Sequence, residues 1–168
     1  MFTRILVAVS ASSVDAVLES AIDIAKQYDA RVFALHVVDP APCWMGPMDY
    51  DFALAVQLLE THGREIVAQA ASVLDDHSCP GETRMVTLPI AGQTLGQAIA
   101  YAAETSGADL ILLGERKSAW WRLLSQDVAS EVRRHTNTPV HLVSRKVVGN
   151  STRRATPRWS EVAAADAR

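Results

Sequence analysis

The residues with a spacing suited to ligand chemistry lie in the stretch 110–128, LILLGERKSAWWRLLSQDV. An apolar run ends at Gly114, a polar loop with two tryptophans follows, and a helix is predicted to begin near the end of the stretch. The apolar run is typical of a buried parallel strand. In parallel α/β sheets, ligands bind beyond the carboxyl ends of the strands, where backbone N–H groups and a helix N-terminus hold phosphate. The stretch is therefore a candidate phosphate-binding loop.

The other reactive side chains form no catalytic or metal-binding pattern. Ser10, Ser12 and Ser13 follow the first strand, but neither a G-x-S-x-G elbow nor a matching order of His and Asp accompanies them, so we interpret them as helix caps. The five histidines lack metal-ligand spacing, and His36 is predicted to be a hydrogen-bonded histidine inside a strand. We expect no catalytic residue and no metal site.

The elements that would position the loop alternate between strands and helices. Hydrophobic patterning predicts strands at residues 2–9, 31–38, 83–88, 108–113 and 139–144. Ser12 and Asp15 have the spacing of a capping box and predict the start of the first helix. The later helices are predicted at residues 52–74, 94–106 and 125–135.

The helix at 52–74 is amphipathic, and its glycine, Gly63, is expected to be a weak point. Its predicted buried face consists of Val56, Leu59, Ile66, Val67, Ala70 and Val73.

This alternation predicts an α/β fold with three layers, in which helices cover both faces of a doubly wound, five-stranded parallel sheet of Rossmann-like type. Residues 1–145 form the predicted domain. Residues 146–168 lose the apolar periodicity and mix Pro, Ser, Thr and Arg, so we expect a basic, disordered C-terminal tail.

Composition and charge exclude several classes of protein. The chain has 168 residues and a formal net charge of −3, but residues 145–168 hold six basic and two acidic side chains, which leaves −7 on residues 1–144. An acidic body of this kind argues against a nucleic-acid partner. No signal peptide and no membrane-spanning run are expected. Cys43 and Cys79 have no metal-ligand pattern, which favours a reduced, cytoplasmic setting.

Four segments in order resemble the universal stress protein family over residues 2–145. They are ILVAV at 5–9, LHVVD at 35–39, GADLILLG at 107–114 and VASEVRRHTNTPVHLV at 128–143. The resemblance implies a five-stranded parallel α/β fold in a cytoplasmic stress protein, usually a homodimer paired through its last strand. One branch of the family binds ATP through an Asp at the end of strand one and a pattern G-x-x-G, about nine residues, then G-S or G-T.

The sequence departs from that ATP-binding pattern at most of its positions. Ser10 stands where the family has Asp, and it cannot offer two anionic oxygens to a ribose or adenine edge. Gly114 matches the first loop glycine, but Lys117 stands at the second. Gln126 and Asp127 stand at the closing Gly-Ser, and the Asp127 carboxylate would occupy the helix N-terminus in place of a phosphate.

We therefore expect no bound cofactor, with ATP or another adenine nucleotide as the alternative. Arg116 and Lys117 could partly compensate for the lost glycines, because lysine binds phosphate as a point charge. If the nucleotide site is retained, its expected residues are Ser10, Val37, Leu113, Gly114, Arg116, Lys117, Gln126 and Asp127.

Two further segments are similar to the branch of the family that does not bind ATP. They are TLGQAI at 94–99 and the W-x-[RK]-L-x-S pattern at 120–125. Trp120 and Trp121 are adjacent and point in different directions, so one can pack on the core while the other stays at the surface. A packing anchor and a loop cover are the simplest interpretation, and an exposed tryptophan would be a candidate partner surface.

The last strand predicts dimerisation. Val140 and Leu142 would leave an apolar sheet edge exposed in a monomer, and pairing across a two-fold axis covers such an edge. The sequence thus predicts a homodimeric, non-enzymatic stress-response protein that binds an unidentified protein or small molecule, with a degenerate nucleotide site. The alternative is an adenine-nucleotide-binding switch, with at most very slow ATPase activity, that uses a remodelled loop at 114–127.

Overall fold

The computed structural model describes residues 1–45, 51–89, 91–114 and 127–144. The predictions for Arg116, Lys117, Trp120, Trp121 and Gln126, and for the tail at 146–168, lie outside these residues.

A single five-stranded sheet organises the described part of the chain, and every strand pair in it is parallel. The strand order is β3-β2-β1-β4-β5, so the chain builds outward from β1 in one direction and then in the other. The predicted α/β fold is thereby confirmed. The strands are β1 Arg4–Ala8, β2 Arg31–Val38, β3 Gly81–Thr87, β4 Leu110–Gly114 and β5 Val140–Val143.

Helices cover both faces of the sheet. The helices are α1 Val14–Tyr28, α2 Phe52–Asp76, α3 Leu95–Ser106 and α4 Val128–His135, with a short 3-10 helix at Ala41–Met45. α1 and α2 contribute to one buried cluster, and α3 and α4 contribute to the other. No helix within the described ranges has the length and apolar character to cross a membrane.

The start of α1 differs from the prediction. α1 begins at Val14, and its N-cap is Ser13, whose side chain makes no capping hydrogen bond, so the Ser12–Asp15 capping box is wrong. The Ser10 carbonyl instead accepts the N–H groups of Ser13 and Val14 at 3.0 and 2.9 Å. Asp15 accepts a hydrogen bond from Gln69 of α2, and this bond ties the two helices of one face together.

The buried face of α2 is also shifted relative to the prediction. Its buried residues are Ala55, Gly63, Ile66, Ala70 and Leu74. The predicted Val56, Val67 and Val73 are half-buried, and Leu59 is exposed.

Gly63 is a packing requirement rather than a weak point. A Cβ added at Gly63 would lie 2.8 Å from Met85 Sδ, and 3.0 Å from both His36 Cδ2 and Val38 Cγ2. Glycine therefore allows α2 to approach β2 and β3 closely.

Hydrogen bonds fix the start of α3 and the position of β4 beside β1. Thr94 and Gln97 form a reciprocal capping box at the start of α3. Asp109, just before β4, accepts hydrogen bonds from the Thr3 N–H and hydroxyl at 2.7 and 2.8 Å, and from the Arg4 N–H at 3.3 Å. Burial acts to raise the pKa of Asp109, but these hydrogen bonds outweigh it and lower the pKa overall.

Candidate functional site

The expected ligand position lies where the strand order reverses, between the carboxyl ends of β1 and β4. Ala8 is paired with Leu113 in the register of these strands, so Ser10, just after β1, lies near Gly114, the last residue of β4. This is the topological switch point at which open α/β sheets bind ligands. The fold therefore brings Ser10, Leu113 and Gly114 to one edge.

Gly114 is in close contact with α1. A Cβ added there would lie 2.8 Å from Ser13 Cβ and 2.9 Å from Val17 Cγ2. These distances are shorter than ordinary carbon contacts, so the absence of a side chain is needed for α1 to pack against the end of β4. The glycine that matches the family's phosphate loop thus has a packing function in this chain.

Ser10 is engaged in a cluster of hydroxyl groups. Its Oγ lies 2.8 Å from Ser13 Oγ and 3.3 Å from Ser12 Oγ. The cluster is neutral, and its hydroxyl groups bond to one another.

Asp127 is the N-cap of α4. Its carboxylate accepts hydrogen bonds from the Ala129 N–H at 3.2 Å and the Ser130 hydroxyl at 2.5 Å. The Ser130 hydrogen bond is the largest cause that lowers the pKa of Asp127. A negative charge at a helix N-terminus is stabilised by the helix dipole, so this carboxylate takes the position that an anionic ligand would need.

The remaining described residues of the expected nucleotide site point toward the core of the α3–α4 face. Leu113 is buried and Val37 is half-buried, and both belong to the cluster packed under these helices. Leu113 is therefore a candidate for ligand contact at the edge only through its backbone, whereas Val37 is half-buried and also lines the cavity described next.

A cavity on the α1–α2 face was missed by the sequence interpretation. It has a volume of about 220 Å³ and is lined by Ala11, His36, Val37, Val38, Asp39, Leu59, His62 and Ile66. A sequence signal for it existed in the polar His36 within an otherwise apolar strand and in Gly63 of the covering helix. Within the described ranges, no group of three or more His, Cys, Asp or Glu residues could hold a metal ion.

The two residues of the expected dimer interface differ in exposure. β5 lies at an edge of the sheet. Val140 is 8% exposed and belongs to the buried cluster under α3 and α4, whereas Leu142 is 51% exposed. Of these two residues, Leu142 is therefore the exposed apolar side chain on the edge strand.

Comparison with known proteins gives a consistent result. A sequence model described as the universal stress protein family matches residues 1–144. A universal stress protein of Methanocaldococcus jannaschii is 30% identical over 126 residues, which are 74% of this chain and 71% of that protein.

Two solved structures share the fold. A protein from the universal stress protein family of Burkholderia pseudomallei has a TM-score of 0.67 and 25% identity, over 84% of this chain and 95% of that one. The universal stress protein from Archaeoglobus fulgidus in complex with dAMP has a TM-score of 0.57 and 22% identity, over 84% of this chain and 97% of that one.

Proposed function

The chain belongs to the universal stress protein family, and on this premise we propose that it is a non-enzymatic stress-response protein with a degenerate nucleotide site. In this proposal it works in the cytoplasm as a homodimer that binds a small ligand or another protein. The two unpaired cysteines, Cys43 and Cys79, fit a reducing compartment.

The capping of α4 by Asp127 is the observation that carries the proposal. A phosphate bound at a helix N-terminus uses free N–H groups and the positive end of the dipole. Here the Ala129 N–H already donates to the Asp127 carboxylate, and a second anion would be repelled by it. Ser10 adds no anionic oxygen for a ribose. The expected ATP site therefore lacks a carboxylate at its ribose end and a free Ala129 N–H at its phosphate end.

A thermal shift assay and native mass spectrometry test this proposal. Protein purified without added nucleotide is expected to carry none, and millimolar Mg²⁺-ATP is expected to leave its Tm unchanged, because a ligand that does not bind the native state cannot stabilise it. Asp127→Ser provides the matched variant, since serine keeps a capping oxygen and removes the charge. If Mg²⁺-ATP raised the Tm of the unmodified protein as much as it raises the Tm of Asp127→Ser, the proposal would be contradicted.

An adenine-nucleotide-binding switch is the second candidate function. It is favoured by the dAMP complex of the Archaeoglobus fulgidus relative and by the positive charges of Arg116 and Lys117 in the loop. Adenine nucleotide found on the purified protein, together with its loss in Lys117→Ala, would support this candidate over the first.

The homodimer is proposed to pair through β5. An exposed apolar side chain on an edge strand favours pairing with another strand, and Leu142 is such a side chain. Leu142→Asp is expected to convert the dimer into monomer or aggregate in analytical ultracentrifugation. Leu58→Asp is the control, because Leu58 is 62% exposed on α2. A dimer that survives Leu142→Asp, or that dissociates only with Leu58→Asp, would place the interface elsewhere.

A further inference from the structure

We propose that two copies of the chain pair antiparallel through β5 with their two-fold axis at Leu142, and that Arg133 of α4 sets this register by its hydrogen bond to Val140. The proposal rests on the homodimer of the proposed function, because it specifies how the two edge strands are aligned. It adds to that interface a positioning residue and a register that can be measured.

Two residues of β5 direct their backbone groups away from the sheet. Ile111 of β4 donates its N–H to the Pro139 carbonyl oxygen at 2.8 Å, and Ile111 is paired with Val140 in the register of the two strands. Because backbone groups alternate along a strand, those of the odd-numbered residues face β4, and those of Val140 and Leu142 face outward. Within β5, an incoming strand can therefore form hydrogen bonds at Val140 and at Leu142.

One of these two positions is already occupied by a side chain. Arg133 lies in the last turn of α4, and its Nη2 donates to the Val140 carbonyl oxygen at 3.1 Å. A hydrogen bond from a charged donor is stronger than one from a neutral N–H, so the backbone of a partner strand competes poorly for this oxygen. No described residue bonds to the outward backbone groups of Leu142. Of the two outward residues, Leu142 is thus the one that remains available to a partner.

Three antiparallel registers form hydrogen bonds between residues of β5 itself, and they differ in what they require of Val140. With the axis at Val140 or at His141, the Val140 carbonyl must accept an N–H from the partner strand, which the Arg133 hydrogen bond opposes. With the axis at Leu142, the two copies of Leu142 exchange both hydrogen bonds, and Val140 lies opposite the partner subunit's Ser144, beyond the last residue of β5. Of the three registers, the axis at Leu142 is the one that leaves the Arg133 bond intact.

The exposed apolar surface of the strand favours the same axis. Val140 is 8% exposed and Leu142 is 51% exposed, so Leu142 has more apolar surface left to bury. With the axis at Leu142, the two leucine side chains lie on one face of the joined sheet, with their Cα atoms about 5.5 Å apart. Each then removes apolar surface of the other from water, which stabilises the pair.

Disulfide cross-linking tests the register in a protein whose own cysteines are replaced by Cys43→Ser and Cys79→Ala. Leu142→Cys is expected to give a covalent dimer under mild oxidation, because Cα atoms about 5.5 Å apart lie within the range of a disulfide, roughly 4.4–6.8 Å. His141→Cys is expected to give none above background, since the two copies would be diagonal neighbours about 7–8 Å apart. Leu58→Cys, at a 62% exposed position of α2, measures the background from random collisions.

Two arginine variants test the role of the Arg133 guanidinium. Arg133→Ala frees the Val140 carbonyl for a partner strand, so His141→Cys is expected to gain covalent dimer and Leu142→Cys to lose it in this background. Arg134→Ala removes the same charge at the neighbouring exposed position. It is expected to leave the cross-linking pattern unchanged.

Covalent dimer from His141→Cys while Arg133 is present, or the same cross-linking pattern for Arg133→Ala and Arg134→Ala, would overturn the proposal and leave the homodimer in place. Sedimentation velocity of the cysteine-free protein reports the homodimer itself. A monomer, or a dimer in which neither cysteine of β5 cross-links above the level of Leu58→Cys, would refute pairing through β5 and the register with it.

Discussion

The carboxyl edge of the sheet has two halves, one beside β1, β4 and α4 and one beside β2 and α2, and their polar groups differ in hydrogen bonding. Beside β1, β4 and α4, the hydroxyl of Ser10 bonds to Ser13, and the carboxylate of Asp127 caps α4. Beside β2 and α2, Nδ1 is the one nitrogen of His36 with a hydrogen-bond partner among the described residues, and a cavity lies next to this ring.

The two halves thus differ in how many of their polar groups are hydrogen-bonded within the described part of the protein. A site is closed when the protein supplies its own partners to the groups that would hold a ligand, because each such bond must be broken before the ligand can bind. In the α4 half Ser10 and Asp127 have such partners, whereas in the α2 half His36 has one through Nδ1 alone among the described residues. Substitutions at Gly114, Asp127 and Gly63 test how tightly each half is packed and capped.

Gly114→Ala is expected to have the largest effect on stability. The new Cβ would meet Ser13 Cβ and Val17 Cγ2 at less than 3 Å, and overpacking of this kind costs about 1–3 kcal/mol. Denaturant unfolding measures the loss. In a Ser13→Gly background, Gly114→Ala should cost less unfolding free energy, since residue 13 then has no side chain for the new Cβ to meet. An equal cost in both backgrounds would show that this contact does not close the site.

Asp127→Ala is expected to cost about 1 kcal/mol of unfolding free energy, because α4 loses its cap. Asp127→Asn should retain most of that stability, since its side-chain oxygen can accept the same N–H. Denaturant unfolding of both variants checks the prediction. If the two variants were equally unstable, the charge and not the cap would hold this end of α4.

Gly63→Ala is expected to cost less, at most about 1 kcal/mol. Its Cβ would contact the Met85 sulfur and His36, but methionine adapts readily, and alanine gains about 1 kcal/mol over glycine inside a helix. The unfolding free energy lost on Gly63→Ala is measured by denaturant unfolding, in the unmodified protein and in a Met85→Ala background. A loss larger than that of Gly114→Ala would mean that the open half of the edge is the more tightly packed.

The pH dependence of the Asp127 contribution is the smallest expected effect. The pKa of Asp127 is lowered in the folded state from its ordinary value of 3.8, so ionised Asp127 stabilises the fold. This contribution is fully present above that value and is lost as the pH falls through the lower folded pKa.

Unfolding curves of the protein and of Asp127→Asn at several pH values measure this contribution. The difference in unfolding free energy is expected to be constant from neutral pH to about pH 5 and to shrink below about pH 4. Asp109, whose pKa is also lowered, is present in both proteins and cancels in the difference. A difference that grows on acidification would contradict the lowered pKa.

The sequence by itself determined the alternation of strands and helices, the parallel sheet, and the place of Asp127 at the start of a helix. These features depend on local patterns: continuous apolar runs for strands such as Arg31–Val38, the helical period, and a capping residue next to that period. The strand β2 has the predicted bounds, and the predicted sheet and helices agree with the universal stress protein fold of the relatives.

Tertiary structure alone decided which side chains the glycines Gly63 and Gly114 contact and where a cavity lies. Gly114 meets Ser13, and Gly63 meets Met85 and His36, and in each case the partners come from distant parts of the chain. Sequence patterns indicate which side of a helix or strand is apolar. The distance between two packed elements depends on all the side chains between them. The closed half of the edge and the open cavity are consequences of those distances.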